Sequence, residues 1–200
     1  MQSKEIVITG NIGSGKSTLA SMLRQRGYVV IDTDRISREI YEPESPTYRK
    51  LILEFGKDIL NRDKRINRKF LSNLVFSDKN KLLKLEEITH ADIILEVKKK
   101  IEELGSKIIF IEIPLYFESK ALIDEILDID EVWMVYSDKD IRIGRIMDRD
   151  GVDRKKAVDI INSQLDYAYY KDKVDELIVN NDGEEKYKIE IEDLFKRRNL

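Results

Sequence analysis

Four residues at fixed spacing carry the first chemical signal. Gly10, Gly15, Lys16 and Ser17, within GNIGSGKST (10–18), fit the pattern G-x-x-x-x-G-K-[ST] without a mismatch. Glycines let the backbone take positive φ and come close to a ligand. The successive N–H groups of such a loop point inward and form an anion nest. The helix that follows adds its own free N–H groups and positive dipole end. Lys16 supplies a point charge for β- and γ-phosphates. The Ser17 hydroxyl suits Mg²⁺, a hard ion that prefers oxygen. The alternative is a plain glycine-rich turn, and its surroundings argue against it. KEIVIT before the loop reads as a short strand, and STLASMLRQRG after it has apolar residues at helical spacing with Gly27 as a stop. A nucleoside triphosphate is the expected ligand.

The loop does not say what receives the phosphate. In IDTDRISR (31–38), Asp32 and Asp34 stand two apart at the end of a strand candidate. On extended chain, i and i+2 point to one side, so both carboxylates would face the crevice where open α/β sheets bind ligands. One could help hold Mg²⁺ through water and the other could accept the proton of an attacking hydroxyl. The competing reading is an N-cap aspartate for a helix starting near Arg35. Arg38 could bind an anionic acceptor, or pair with Asp34 or Glu42. In SDKDIRIGRIMDRDG (137–151), Ser137 and Asp140 read as a capping box. Arg142, Arg145 and Arg149 then fall on one helical face. They make either a solvated face laced to Asp138, Asp148 and Asp150, or a lid that closes over triphosphate and excludes water. His90, the only histidine, is a packing or surface residue or a phosphate contact. The aromatic cluster YAYY (167–170) reads as packing.

The elements that must position these groups follow from periodicity. EIVIT (5–9), YVVID (28–32), KIIFIEI (107–113), EVWMVY (131–136) and ELIVNN (176–181) are short, nearly continuous apolar runs, as expected of strands covered on both faces of a parallel sheet. Helices between them make βαβ units. The stretch from about 40 to 104 has helical periodicity and no convincing strand, which reads as a helical insert, and the prolines of EPESP (42–46) mark its entrance. EEKYKIEIEDLFKRRNL reads as an amphipathic closing helix.

Composition bounds the rest. The 200 residues are 38% charged and 42% apolar, with net charge −3, which gives no global field for nucleic acid or an anionic membrane. There is no cysteine, which removes disulfides, thiolate zinc sites and thiol catalysis. No apolar run has membrane-spanning length. The phosphate loop begins at residue 10, so a cleaved leader is not expected there and the cytoplasm is the expected location.

The chain resembles the dephospho-coenzyme A kinase family in several blocks that occur in family order over nearly its whole length. TGNIGSGKST (9–18) is similar to the family loop TGGIGSGKS, and IDTDRISRE (31–39) to its D-A-D-x-x-A-R segment. FG (55–56), LSNLVF (71–76) and THADI (89–93) follow its insert, and IPLYFE (113–118) resembles its P-L-L-F-E stretch. RIMDRDG (145–151) matches R-x-x-x-R-D, and LIVNNDG (177–183) matches V-I-D-N-D-G.

The resemblance implies an α/β P-loop kinase fold: a five-stranded parallel sheet flanked by helices, with a helical acceptor-binding insert and a lid. It implies a nucleotide-binding core at 1–40 and 105–200, a lid at about 138–165 and the insert at 41–104. It implies transfer of the ATP γ-phosphoryl group to the ribose 3′-hydroxyl of dephospho-coenzyme A, with Mg²⁺, by a monomer or weak oligomer that needs no nucleic acid or membrane. Asp34 falls on the family's base, and Lys16, Arg145 and Arg149 on its other catalytic positions. Asn11, Ile12, Gly13, Ser14, Gly15, Lys16, Ser17 and Thr18, with Arg145 and Asn181, fall on the ATP site. Asp32, Arg38, His90, Pro114 and Leu115 fall on the acceptor side, and Ser17 and Asp32 on the metal.

The chain also departs from the family. Asn11 replaces the loop's second glycine, an exchange expected to rest on asparagine's tolerance of positive φ. Ala91 replaces the proline of the usual His-Pro, Tyr116 a leucine, and Arg142 a common glutamine. There is one residue more than usual between Gln164 and Asn181. A related kinase with another acceptor is the main alternative. A nucleotide-dependent switch would want N-K-x-D or an Asp-Glu strand end, and the chain offers neither.

Overall fold

The apolar runs become strands, and the stretches with a repeat near 3.6 become helices. The computed structural model describes residues 3–200. The elements are β1 (Lys4–Thr9), α1 (Lys16–Gln25), β2 (Val29–Asp32), α2 (Thr33–Glu39), α3 (Pro46–Phe55), α4 (Arg68–Phe76), α5 (Lys79–Leu104), β3 (Ile108–Glu112), α6 (Lys120–Ile126), β4 (Glu131–Tyr136), α7 (Lys139–Asp150), α8 (Arg154–Asn162), β5 (Glu176–Val179) and α9 (Glu184–Arg198). The chain divides into two compact units.

The first unit comprises 1–31, 105–120 and 128–200. Its five-stranded parallel sheet has the order β2-β3-β1-β4-β5. β1 is central, with Ile8 opposite Glu112 and Thr9 opposite Met134. Ile6, Val7 and Ile8 are buried, as a strand covered on both faces requires. Leu19 and Leu23 of α1 and Tyr187, Ile191, Leu194 and Phe195 of α9 join Ile6, Ile8, Phe110, Trp133 and Val135 in the main core. Burying each such aliphatic or phenylalanine side chain is worth roughly 1.5–3 kcal/mol, which fixes α1 and therefore the loop that starts it. A smaller core ties α7 to α8 through Ile143, Ile146, Ala157 and Ile161, and Ile12 packs against it. Gly151, at φ 64°, ends α7, and Asp153 caps α8 by accepting from Lys156 N–H at 2.8 Å.

The second unit comprises 32–104 and 121–127 and is helical. Pro46 does not merely end what precedes it. It occupies the first turn of α3, with Ser45 as cap accepting from Tyr48 N–H at 3.0 Å. Asn67 caps α4 the same way, accepting from Phe70 N–H at 3.0 Å. Tyr48, Leu51, Ile59, Ile66, Leu71 and Val75 form the core of this unit. Buried Asp92 accepts from Thr47 Oγ1 at 2.9 Å and from Lys50 Nζ at 2.5 Å, so its charge is compensated.

Candidate active site

The phosphate loop leaves β1 and enters α1. Gly10 has φ 146°, and a Cβ there would lie 2.2 Å from the Val135 carbonyl oxygen. Gly15 has φ 106°, and its Cβ would lie 2.3 Å from Asn180 Nδ2. Both positions need glycine for space as well as for conformation. Lys16 Nζ donates to the carbonyls of Gly10 at 2.6 Å and Asn11 at 3.3 Å, so the lysine folds over its own loop. Ser17 is exposed in the first turn of α1. Asn11 does not take positive φ, contrary to the expectation for a glycine replacement. It is 4% exposed, and its side-chain amide donates to Leu165 O at 2.9 Å.

The arginine stripe is a solvated face only at Arg149. Arg145 reaches under the loop: Nη1 donates to Gly13 O (3.1 Å), Ser14 O (3.4 Å) and Ser137 Oγ (2.9 Å), and Nη2 to Asn180 O (3.1 Å) and Oδ1 (2.9 Å). Arg142 is buried, and its Nε donates to Ser137 O at 3.1 Å while Nη1 has no partner among the described residues. Burial lowers its pKa, against the opposing fields of Tyr136, Asp166 and Asp138. Arg149 alone is exposed, and it grips Asp150 with both Nε and Nη2, at 2.7 and 2.8 Å. That contact raises the Arg149 pKa and lowers that of Asp150.

The expected capping box is absent. Asp138, not Ser137, is the N-cap of α7, and Ser137 instead places its hydroxyl 2.6 Å from Asn180 O. Asn181 fixes that cap: its Oδ1 accepts from Asp138 N–H at 2.9 Å, and its Nδ2 donates to Asp138 Oδ2 at 2.8 Å. Sequence reasoning missed Asn180, which is buried and donates from Nδ2 to Ser14 O at 2.8 Å. Its signal was available, since an asparagine pair ending a β-rich run places one amide inward and one outward. Glu112, buried at the end of β3 with Arg24 at 3.9 Å, was also passed over.

In the IPLYFE stretch, Leu115 is exposed and Pro114 half-buried. The Tyr167 hydroxyl lies 2.6 Å from Glu118 Oε2 and 3.0 Å from Pro114 O. Burial, then Glu118, pushes the Tyr167 pKa up, so the phenol remains a neutral donor. Tyr170 stacks on Phe117 with centroids 3.9 Å apart, so Tyr167 and Tyr170 of the cluster pack while Tyr169 is exposed.

In the second unit, Asp32 is the N-cap of α2 and accepts from Arg35 N–H at 3.1 Å. The helix therefore starts two residues earlier than expected. Asp34 lies in its first turn rather than on extended chain, so strand alternation does not aim the two carboxylates together. Asp34 and Arg38 are exposed, and among the described residues no ion pair joins Arg38 to Asp34 or Glu42. His90 is exposed on α5 and lines a cavity of about 360 Å³ with Ser37, Tyr41, Arg68 and Phe76. Arg68, which the sequence did not single out, lies 4.8 Å from the Tyr41 ring centroid and donates to Arg38 O at 2.9 Å. Burial raises the Tyr41 pKa, with Arg68 opposing it.

A parallel α/β sheet whose central strand runs into a glycine-gated anion loop, backed by arginine, defines a P-loop kinase fold. The dephospho-CoA kinase family model matches residues 5–186. A dephospho-CoA kinase of Carboxydothermus hydrogenoformans is 40% identical over 181 residues, covering 89% of this chain and 85% of that protein. The structure of dephospho-CoA kinase from Campylobacter jejuni superposes with a TM-score of 0.70 at 28% identity, covering 98% of each chain. A Thermus thermophilus crystal structure reaches 0.78 at 28% identity, covering 98% of this chain and 96% of that one. The chain belongs to the dephospho-CoA kinase family. Its activity is ATP-dependent phosphorylation of dephospho-CoA, the final step of coenzyme A biosynthesis.

Proposed function

We propose that Asp34 is the base of this reaction. It accepts the proton of the ribose 3′-hydroxyl as that oxygen bonds to the γ-phosphorus and the bond to the β-phosphate oxygen breaks, leaving ADP. The observation that carries this is the division of labour at the start of α2. Asp32 does the capping, so the exposed Asp34 carboxylate has no hydrogen bond among the described residues. Phosphoryl transfer asks little of a base beyond position.

On the donor side, the backbone of Asn11–Thr18 and Lys16 hold the triphosphate, with Arg145 beneath the loop and Asn181 at the nucleoside end. Residues 138–165 act as the lid. Arg149 is its mobile cation, because an exposed pair with Asp150 is easily exchanged for phosphate. The proposed dephospho-CoA contacts of the second unit are Asp32, Arg38 and His90, and those of the first unit are Pro114 and Leu115. The cavity beside His90, part apolar and part cationic, supports this assignment.

Mg²⁺ fits the residues available. Ser17, exposed in the first turn of α1, offers a hard oxygen, and Mg²⁺ is commonly held by one or two protein oxygens plus phosphates. Ser17 and Asp32 are the proposed protein ligands. When bound, the ion offsets triphosphate charge. A cytoplasmic monomer or weak oligomer is the proposed state, and the mild net charge of −3 supports only the lack of nucleic-acid and membrane partners, since it gives no global field for them.

The test is single-turnover transfer with both substrates saturating. Asp34→Asn keeps the shape and removes the basicity. The expected loss is roughly two to four decades, with dephospho-CoA affinity within a few-fold. Wild-type transfer by this variant would remove Asp34 from the role. A defect cured by more acceptor or more Mg²⁺ would make it a binding residue.

A further inference from the structure

Asn11 departs from the family loop, yet its side chain is neither exposed nor accommodating positive φ. Its bonds lead to the segment that follows α8. Asn11 Nδ2 donates to Leu165 O at 2.9 Å and to Gln164 Oε1 at 3.4 Å. Gln164 Oε1 accepts in turn from the Ile12 backbone N–H at 2.9 Å. The Ile12 side chain packs on the core shared by α7 and α8. Further along, Tyr167 and Tyr170 anchor the same segment to Pro114, Phe117 and Glu118. The first turn of the phosphate loop is thus held at one backbone N–H, one side-chain amide and one aliphatic side chain.

We propose that Asn11 and Gln164 are positioning residues that act as one latch. Through it the end of the α7–α8 pair fixes the phosphate loop in its ATP-binding conformation. A P-loop binds by aiming consecutive N–H groups inward, so a rotation at Ile12 misdirects every donor after it. Ile12 N–H is satisfied by Gln164 and Ser14 N–H by Asn11 O at 3.2 Å, so the first turn of the loop is set by the protein itself. In this chain the amide of Asn11 supplies a second bond that glycine could not make.

This rests on residues 10–18 being the ATP loop, so Lys16→Ala is included as a separate control. The variants are Gln164→Leu, close in size but without an acceptor, Asn11→Ala, and the pair together. The measurements are affinity for a non-hydrolysable ATP analogue with Mg²⁺, affinity for dephospho-CoA, KM and kcat, and the unfolding midpoint. Each single variant is expected to weaken the analogue about tenfold, Gln164→Leu by leaving the Ile12 N–H unpaired and Asn11→Ala by leaving the Leu165 carbonyl unpaired, and to raise KM for ATP equally. Dephospho-CoA affinity should stay within about twofold and kcat within about threefold. The double variant should be no weaker than the worse single, since one latch breaks only once. Analogue affinity within about twofold of wild type in both single variants overturns the proposal. So do additive losses, or an equal loss of dephospho-CoA affinity. If Gln164→Leu does not fold, Asn11→Ala tests the latch from the loop side, through the bond to Leu165 O. An unaltered analogue affinity in Lys16→Ala would instead remove the loop assignment itself.

Discussion

Asn180 Nδ2 donates to the Ser14 carbonyl at 2.8 Å, while its Oδ1 accepts from Arg145 at 2.9 Å. One buried amide therefore joins the end of β5, the phosphate loop and α7. Asn180→Ala removes the shortest hydrogen bond to Ser14 O and one of the two that Arg145 Nη2 makes to residue 180. A loss of about 1–3 kcal/mol in denaturant unfolding is expected, with weaker ATP binding. Unchanged stability and affinity would show that water replaces the amide at no cost.

The same contact forbids a side chain at Gly15. Gly15→Ala would put a methyl 2.3 Å from Asn180 Nδ2 at φ 106°. The variant should remain folded, because the strain is confined to one loop, and should lose ATP binding by at least about tenfold. Titration with an ATP analogue measures this directly. Wild-type affinity would mean that the loop adapts.

The arginines should separate by surroundings. Arg142 is buried with Nη1 unpartnered, and Arg145 makes contacts to four residues. Arg142→Met should be neutral or stabilising, since a hydrophobic side chain avoids the desolvation of a buried charge. Arg145→Met should destabilise by about 1–3 kcal/mol and impair turnover. Arg149→Ala should leave stability unchanged and lower turnover. Thermal unfolding beside steady-state kinetics distinguishes the three, and equal effects at all of them would contradict the assignment.

Alkaline pH offers an independent check on packing around the loop. Tyr187 is 2% exposed, donates to Gly15 O at 3.1 Å, and has its pKa raised mainly by burial. The folded state holds this proton more tightly than the unfolded state does. The stabilisation is thus complete below the ordinary tyrosine pKa of about 10 and is lost as pH rises above it. Tyr187→Phe should flatten the fall in unfolding midpoint between pH 9 and about 11. An unchanged slope would place the titration elsewhere.

Much of this was legible in the chain. The five strands are short apolar runs bounded by polar residues, and the loop is a fixed pattern with glycine at the positions that later prove sterically closed. What escaped was local hydrogen bonding. Asp32 competes for the helix start and wins, which removes Asp34 from extended chain. Ser137 looks like a cap, but a long-range partner in Asn180 takes its hydroxyl. Asn11 was judged by φ, while its amide is used by Leu165, more than 150 residues away. Side-chain partners separated that far leave no periodic trace, so only the folded chain reveals them.

The most direct measurement of the central claim is a mass-resolved transfer assay. The protein is incubated with ATP, Mg²⁺ and a panel of alcohol acceptors that includes dephospho-CoA, shikimate and nucleosides. The account predicts one product, dephospho-CoA heavier by a single phosphoryl group on the ribose 3′-oxygen, with ADP formed in equal amount and little ATP turnover without acceptor. Preferential phosphorylation of another acceptor, or ATP hydrolysis that ignores dephospho-CoA, would contradict it.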